Sequence, residues 1–206
     1  MKKYYIYIGG LIAAVVGAMA FQGFNQAAQP EHALFYQQKR DIKPFELTDH
    51  NGQAFTNESL KGKWSLVFFG YTSCPDVCPT TLQNLGFIYD DLKAAASNTQ
   101  VLLVSVDPNR DTQDKLNQYI AYFNPEFIAL RAEHDVLFPL SRNLGLMYAF
   151  SDEEEHYLVD HSASIVLVNP AGKITAIFKP EQAVGKVPAI DNDKLLSDYQ
   201  KIVALY

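Results

Sequence analysis

Two runs in this chain, Ser65-Leu-Val-Phe-Phe-Gly-Tyr71 and Val101-Leu-Leu-Val-Ser-Val-Asp107, are short, continuous and apolar without alternation. That pattern belongs to strands buried on both faces. Between them, Leu82, Leu85, Ile88, Tyr89 and Leu92 mark one stripe of a helix predicted over Thr80 to about Ala96. A buried strand, a helix and a second buried strand call for a sheet with helices packed on it.

The remaining elements extend this unit. Phe45-Glu-Leu-Thr and Phe55-Thr flank Asp49-His50-Asn51-Gly52, where Asn-Gly signals a hairpin. Asn57-Glu58-Ser59 reads as the cap of a short helical turn. A helix capped by Asp111 or Thr112 should reach about Phe123, and another should run from about Val136 to Leu144 with Gly145 as its C-cap. Ser164–Asn169 and Ile174–Phe178 flank Pro170-Ala171-Gly172-Lys173 as a second hairpin, and Ile190–Tyr206 closes the chain as an amphipathic helix. This order predicts an α/β, thioredoxin-like three-layer domain with a central mixed sheet. Such sheets hold ligands beyond the carboxyl ends of their parallel strands. Cys74 and Asp107 each follow a predicted strand there.

Ahead of this domain, no charge occurs between Lys3 and Glu31. Tyr4–Phe21 is long enough for a transmembrane helix, and Lys2 and Lys3 place the N-terminus on the cytoplasmic side. The expected organisation is a transmembrane signal anchor with its flank over 1–26, a polar stalk over 27–41 and the folded domain over 42–206. Ala18-Met19-Ala20 offers a cleavage pattern as the alternative. Either reading exports the domain, and the expected location is a bacterial inner membrane with the domain in the periplasm. The net charge, 17 − 23 = −6, comes without a basic cluster and argues against nucleic acid as a partner.

Cys74 and Cys78 are the only cysteines, so whatever they do, they do as a pair. On a helix their i, i+4 spacing would put both sulfurs on one face with Cα atoms about 6 Å apart, within reach of a disulfide. The same spacing leaves room for an ion between two thiolates at about 2.3 Å per bond. A helix N-terminus would favour the thiolates. A plain stabilising disulfide would close a very small loop and gain little. In an oxidising compartment the pair would otherwise be reduced, metal-bound or in turnover.

Two thiolates leave a metal under-coordinated, which directs attention to the five histidines. His32 falls in the stalk and His50 in a hairpin turn, both read as solvated. His134 begins a polar helix and reads as surface. His156 follows the acidic run 152–155, read as an exposed loop. His161 stands in Val159-Asp-His-Ser-Ala directly before a buried strand, on the side facing the cysteine loop; by itself a histidine there reads as structural, with a metal ligand as the alternative. Were His161 to join the pair, two thiolates and an imidazole would suit Cu(I) and also hold Cu(II), whereas structural zinc would want a fourth ligand. Asp160 is placed to orient the His161 ring. Met147, beside Leu144 and Leu146, reads as core, with a soft axial contact to the metal as the alternative.

Phe69-Gly-Tyr-Thr-Ser-Cys74-Pro-Asp-Val-Cys78-Pro, Val104-Ser-Val-Asp107-Pro-Asn-Arg110-Asp111-Thr112 and Val159-Asp-His161-Ser together resemble the Sco/SenC family. These are membrane-anchored, thioredoxin-fold proteins of cytochrome oxidase copper-centre assembly. The resemblance implies that Cys74, Cys78 and His161 ligate copper, with Asp107 in an outer-shell or partner-docking role. It implies a metallochaperone serving the copper A centre of cytochrome c oxidase subunit II. Other periplasmic copper chaperones or thiol reductants would be further partners. The alternative is a thiol–disulfide oxidoreductase, with Cys74 and Cys78 as the redox-active pair, that reduces the acceptor cysteines before metallation. A peroxiredoxin-type peroxidase would need only one reactive cysteine. A Cys-His hydrolase lacks a legible oxyanion arrangement.

Overall fold

The computed structural model describes residues 28–150, 157–181 and 188–206. The expected span over 4–21, the acidic run 152–155 and His156 lie outside them. Among the described residues no helix is long and apolar enough to cross a membrane.

The strands are β1 (Leu34–Asp41), β2 (Glu46–Asp49), β3 (Ala54–Thr56), β4 (Trp64–Gly70), β5 (Thr99–Ser105), β6 (Ile128–Arg131), β7 (Tyr148–Phe150), β8 (Val159–His161), β9 (Ile165–Val168) and β10 (Lys173–Phe178). The helices are α1 (Asn57–Leu60), α2 (Val77–Phe87), α3 (Tyr89–Ala95), α4 (Gln113–Phe123), α5 (His134–Leu144) and α6 (Asn192–Ala204). Eight strands form one mixed sheet in the order β1-β10-β9-β4-β5-β6-β2-β3, while β7 and β8 pair as a separate ribbon. β4 runs parallel to β5, and β5 to β6, as expected for strands joined by helical crossovers. The mixed sheet with helices on both faces meets the thioredoxin-like expectation.

Every residue of β4 and β5 is buried, which is why neither run alternates. Val67, Leu102, Val104 and Val168 face Leu140 and Leu144 of α5 across one apolar space. On the other face α2 brings Cys78 beside the β4 backbone, and α6 packs against α3. The Tyr199 hydroxyl of α6 lies 2.6 Å from that of Thr99, in a fully enclosed contact.

Several boundaries differ from expectation. The helix predicted over 80–96 is two helices, because the backbone turns at Ile88 (φ −102°, ψ 6°). Thr112, not Asp111, caps α4, accepting the Lys115 N–H. Thr56 caps α1 in a reciprocal arrangement with Ser59, and Asn57 instead accepts the Phe45 N–H. Gly145 does end α5 in the left-handed conformation, at φ 81°.

The stalk is the largest correction. Leu34–Asp41 is an edge strand paired antiparallel with β10. Its register shifts between Phe35 and Arg40, so its side chains never alternate cleanly, and its polar sequence reads as a linker. Just before it, the Glu31, His32 and Ala33 amides donate to the buried carboxylate of Asp198 on α6 at 2.8, 2.6 and 2.7 Å. The sheet order and register put the start of β1 at the same end as the carboxyl end of β4.

Candidate metal centre

β4 ends at Gly70, and the chain turns through Tyr71–Asp76 before α2 begins. Only a residue without a side chain fits at the exit, since a Cβ on Gly70 would stand 2.8 Å from the Cys78 sulfur. The Cys74 N–H closes a turn onto the Tyr71 carbonyl at 3.2 Å. The buried Asp111 carboxylate holds the same loop, accepting the Thr72 N–H at 3.1 Å, the Thr72 hydroxyl at 2.5 Å and the Ser105 hydroxyl at 2.7 Å. Asp111 looked like a helix cap in the sequence. Its work is to tie the cysteine loop to the end of β5.

The two cysteines do not share a helical face. Cys78 lies in the first turn of α2 and is fully buried, while Cys74 precedes the helix and is half-buried. The Asp76 side chain makes no capping bond. Instead the Cys74 sulfur takes that place, accepting the Cys78 N–H at 3.5 Å. Both thiols are free. A hydrogen bond from the Cys78 thiol, then from His161 and the Cys78 and Asp76 amides, holds the Cys74 thiol down to about 4, against the opposing effect of burial. Burial first, and then the Cys74 thiolate, push the Cys78 thiol up. One sulfur is therefore a thiolate at neutral pH, and its partner keeps its proton until something replaces it.

His161 comes from β8, on the ribbon outside the main sheet. Its Nε2 lies 3.2 Å from the Cys78 sulfur and 3.9 Å from the Cys74 sulfur. The ring is held edge-on between Phe68 and Tyr71, with centroids at 5.7 and 5.9 Å. Its Nδ1 lies 3.4 Å from the Ser162 carbonyl oxygen, an acceptor able to fix the tautomer that leaves Nε2 free for a metal. The three ligand atoms all lie within 4.8 Å of one another. Three donors around one ion at about 2.0–2.3 Å stand about 3.5–4 Å apart in a trigonal set, so little movement would close them on an ion.

Asp160 sits differently from expectation, and so does Asp107 as a docking residue. Asp160 is exposed and follows the strand alternation away from His161, so the Ser162 carbonyl, not this carboxylate, faces the ring. The Asp107 side chain is fully buried and offers nothing to a partner's surface. It pairs with Arg110 and accepts the Tyr157 hydroxyl at 2.6 Å. Met147 is not in the core: it is 74% exposed, with its backbone bonded to Ser162. His50 is less free than its turn suggested, since its Nδ1 accepts the Ala129 N–H and ties the hairpin to β6. His134 joins an aromatic cluster with Phe138, Tyr148 and Phe150. His32 is exposed.

Solved structures similar to this chain include copper-bound ones. The crystal structure of Arabidopsis thaliana ScoI with copper bound superposes with a TM-score of 0.71 at 30% identity, over 80% of this chain and 98% of that one. Copper-bound yeast Sco1 gives the same TM-score at 27% identity, over 81% and 90%. A SCO2-like protein of Rickettsia prowazekii is 35% identical over 177 residues, 82% of this chain and 86% of its own. The SCO1/SenC profile matches residues 36–191, which include both cysteines, Asp107 and His161. On that match and those relatives, the chain belongs to the SCO1/SenC family.

Proposed function

We propose that this protein is a copper metallochaperone. It takes one copper ion as cargo on Cys74, Cys78 and His161 and passes it to the copper A centre of cytochrome c oxidase subunit II. The observation that carries this is the convergence within 4.8 Å of three soft or borderline donors, a cysteine pair and a histidine remote from it in sequence. Two thiolates and one imidazole favour Cu(I) and also accommodate Cu(II). Copper-bound relatives of the same fold support the choice of ion. Three ligands suit a carrier, because an open coordination position lets an acceptor thiolate attach before the donor lets go.

Copper titration of the reduced protein, followed by absorption and metal analysis, tests this. The expected result is one copper per chain, loss of binding in Cys74→Ala and Cys78→Ala, and weaker binding with an altered spectrum in His161→Ala. Equal affinity and an identical spectrum in His161→Ala would end the assignment.

The depressed Cys74 thiol supports a second reading. The pair would reduce the acceptor's disulfide: the Cys74 thiolate attacks one acceptor sulfur, Cys78 resolves the mixed disulfide, and two electrons leave as the Cys74–Cys78 bond forms. This role needs no His161, so His161→Ala separates the two. Both roles fit a domain held in the periplasm by a single N-terminal span, and its partners there would include other copper chaperones or thiol reductants.

A further inference from the structure

The third ligand rides on an element that is not part of the main sheet. Among the described residues β8 pairs only with β7, and on the side of the thiols this ribbon is fastened by a cluster around Arg110. Arg110 Nη1 donates to the Tyr157 carbonyl at 2.9 Å, and the guanidinium lies 3.8 Å over the Tyr157 ring. The Tyr157 hydroxyl donates to Asp107 Oδ1 at 2.6 Å, while Arg110 Nε pairs with Asp107 Oδ2. The guanidinium also lies 5.6 Å from the centre of the Tyr71 ring, and the Tyr71 hydroxyl accepts the Val159 N–H at 3.3 Å. Tyr71 is also the ring against which His161 stands. Among the described residues Arg110 Nη2 is buried without a hydrogen-bond partner, an arrangement that a purely stabilising ion pair would not favour.

We propose that Asp107, Arg110 and Tyr157 form a latch that sets the population in which His161 faces the thiol pair. They are positioning residues: none reaches the ion, and each acts through the backbone of the segment that carries His161. Latched, the site offers three ligands. Unlatched, it offers two thiolates on a rigid loop, the state from which a soft ion transfers most easily. The inference rests on the metallochaperone reading for its purpose, but the latch itself is observable without copper.

Tyr157→Phe is the direct test, since it removes one hydroxyl from a partly exposed ring and keeps the stacking. In metal-free protein, amide exchange at Val159 and Ser162 should rise about tenfold, the loss of one hydrogen bond to a charged acceptor, with β4 and β5 amides unchanged. With copper, the dissociation rate should rise by a similar factor, and the Cu(II) spectrum should move toward that of His161→Ala. Arg110→Gln should do the same more strongly. Unchanged exchange at Val159 and Ser162, or a rise spread equally over the sheet, would overturn the latch. If wild-type protein held no copper while the local exchange effect appeared, the latch would stand and the cargo would be wrong.

Discussion

An ideal Cβ on Gly70 would meet the Cys78 sulfur at 2.8 Å, the Phe68 ring at 2.9 Å and a Leu103 methyl at 3.1 Å. All three neighbours are fully buried, so none can swing aside. Gly70→Ala should destabilise the protein by about 1–3 kcal/mol through overpacking, and should displace the Cys78 sulfur from His161. Urea unfolding measures the first effect and copper stoichiometry the second. Stability at the wild-type level would show that the neighbours yield. At the same scale, Cys74 makes a pH prediction. Its folded thiol is lowered to about 4 from an ordinary value of 9.0, so the thiolate predominates down to mildly acidic pH. Alkylation of Cys74 should be nearly independent of pH between about 5.5 and 8, where an ordinary thiol slows about tenfold per unit. Cys78, pushed upward and buried, should react far more slowly throughout. The sign for stability follows from the lowered value. The Cys74 contribution is complete above the unfolded thiol's value and is lost as pH falls through about 4. A steep alkylation profile centred near 9 would refute the assignment.

Between strand and helix, the cysteine loop is tied down by Asp111. Its carboxylate accepts two donors from Thr72 and one from Ser105, with no exposure to water. Asp111→Ala would strand these donors and should remove about 3 kcal/mol or more of stability, read from urea unfolding. Asp111→Asn, which keeps part of the acceptor capacity, should remove less. Equal stability in Asp111→Ala would mean that water replaces the carboxylate. This residue also shows where reading the chain fell short. Asp and Thr side by side before a helix signal a cap whichever of them does the capping, and the long-range partners of Asp111 leave no local trace. β4, β5, α4, α5 and both hairpins were legible because each is long, continuous or bounded by a strong turn. β6, β7 and β8 are three or four residues each, shorter than either period needs to declare itself. Cys74 and Cys78 stood out by their isolation. His161 did so only through the motif it shares with a family, since a histidine before a buried strand has no periodicity to mark its direction.

Across the whole molecule, the first described segment and the last helix are fastened by a single buried carboxylate. Asp198 accepts the amides of Glu31, His32 and Ala33, and Lys201 adds ion pairs to Glu31 at 2.6 Å and to Asp198 at 3.7 Å. Burial raises the Asp198 carboxyl, but the amides of Glu31, Ala33 and His32 outweigh it, and the net shift is downward from 3.8. A lowered folded value means that this carboxylate's contribution is present above 3.8 and is lost as pH falls below it. The fastening should therefore release in acid, and Asp198→Ala should release it at neutral pH, at a cost of about 3 kcal/mol for three orphaned amides. Limited proteolysis should then cut near residues 31–33 in the variant and spare them in the wild type. Copper affinity should change little, because β10 and β9 stand between β1 and the strand that leads to the cysteine loop. That contrast separates anchoring from metal handling. If Asp198→Ala lowered copper affinity as much as His161→Ala, the anchor and the metal site would be coupled, and β1 would be part of the device that holds the ion.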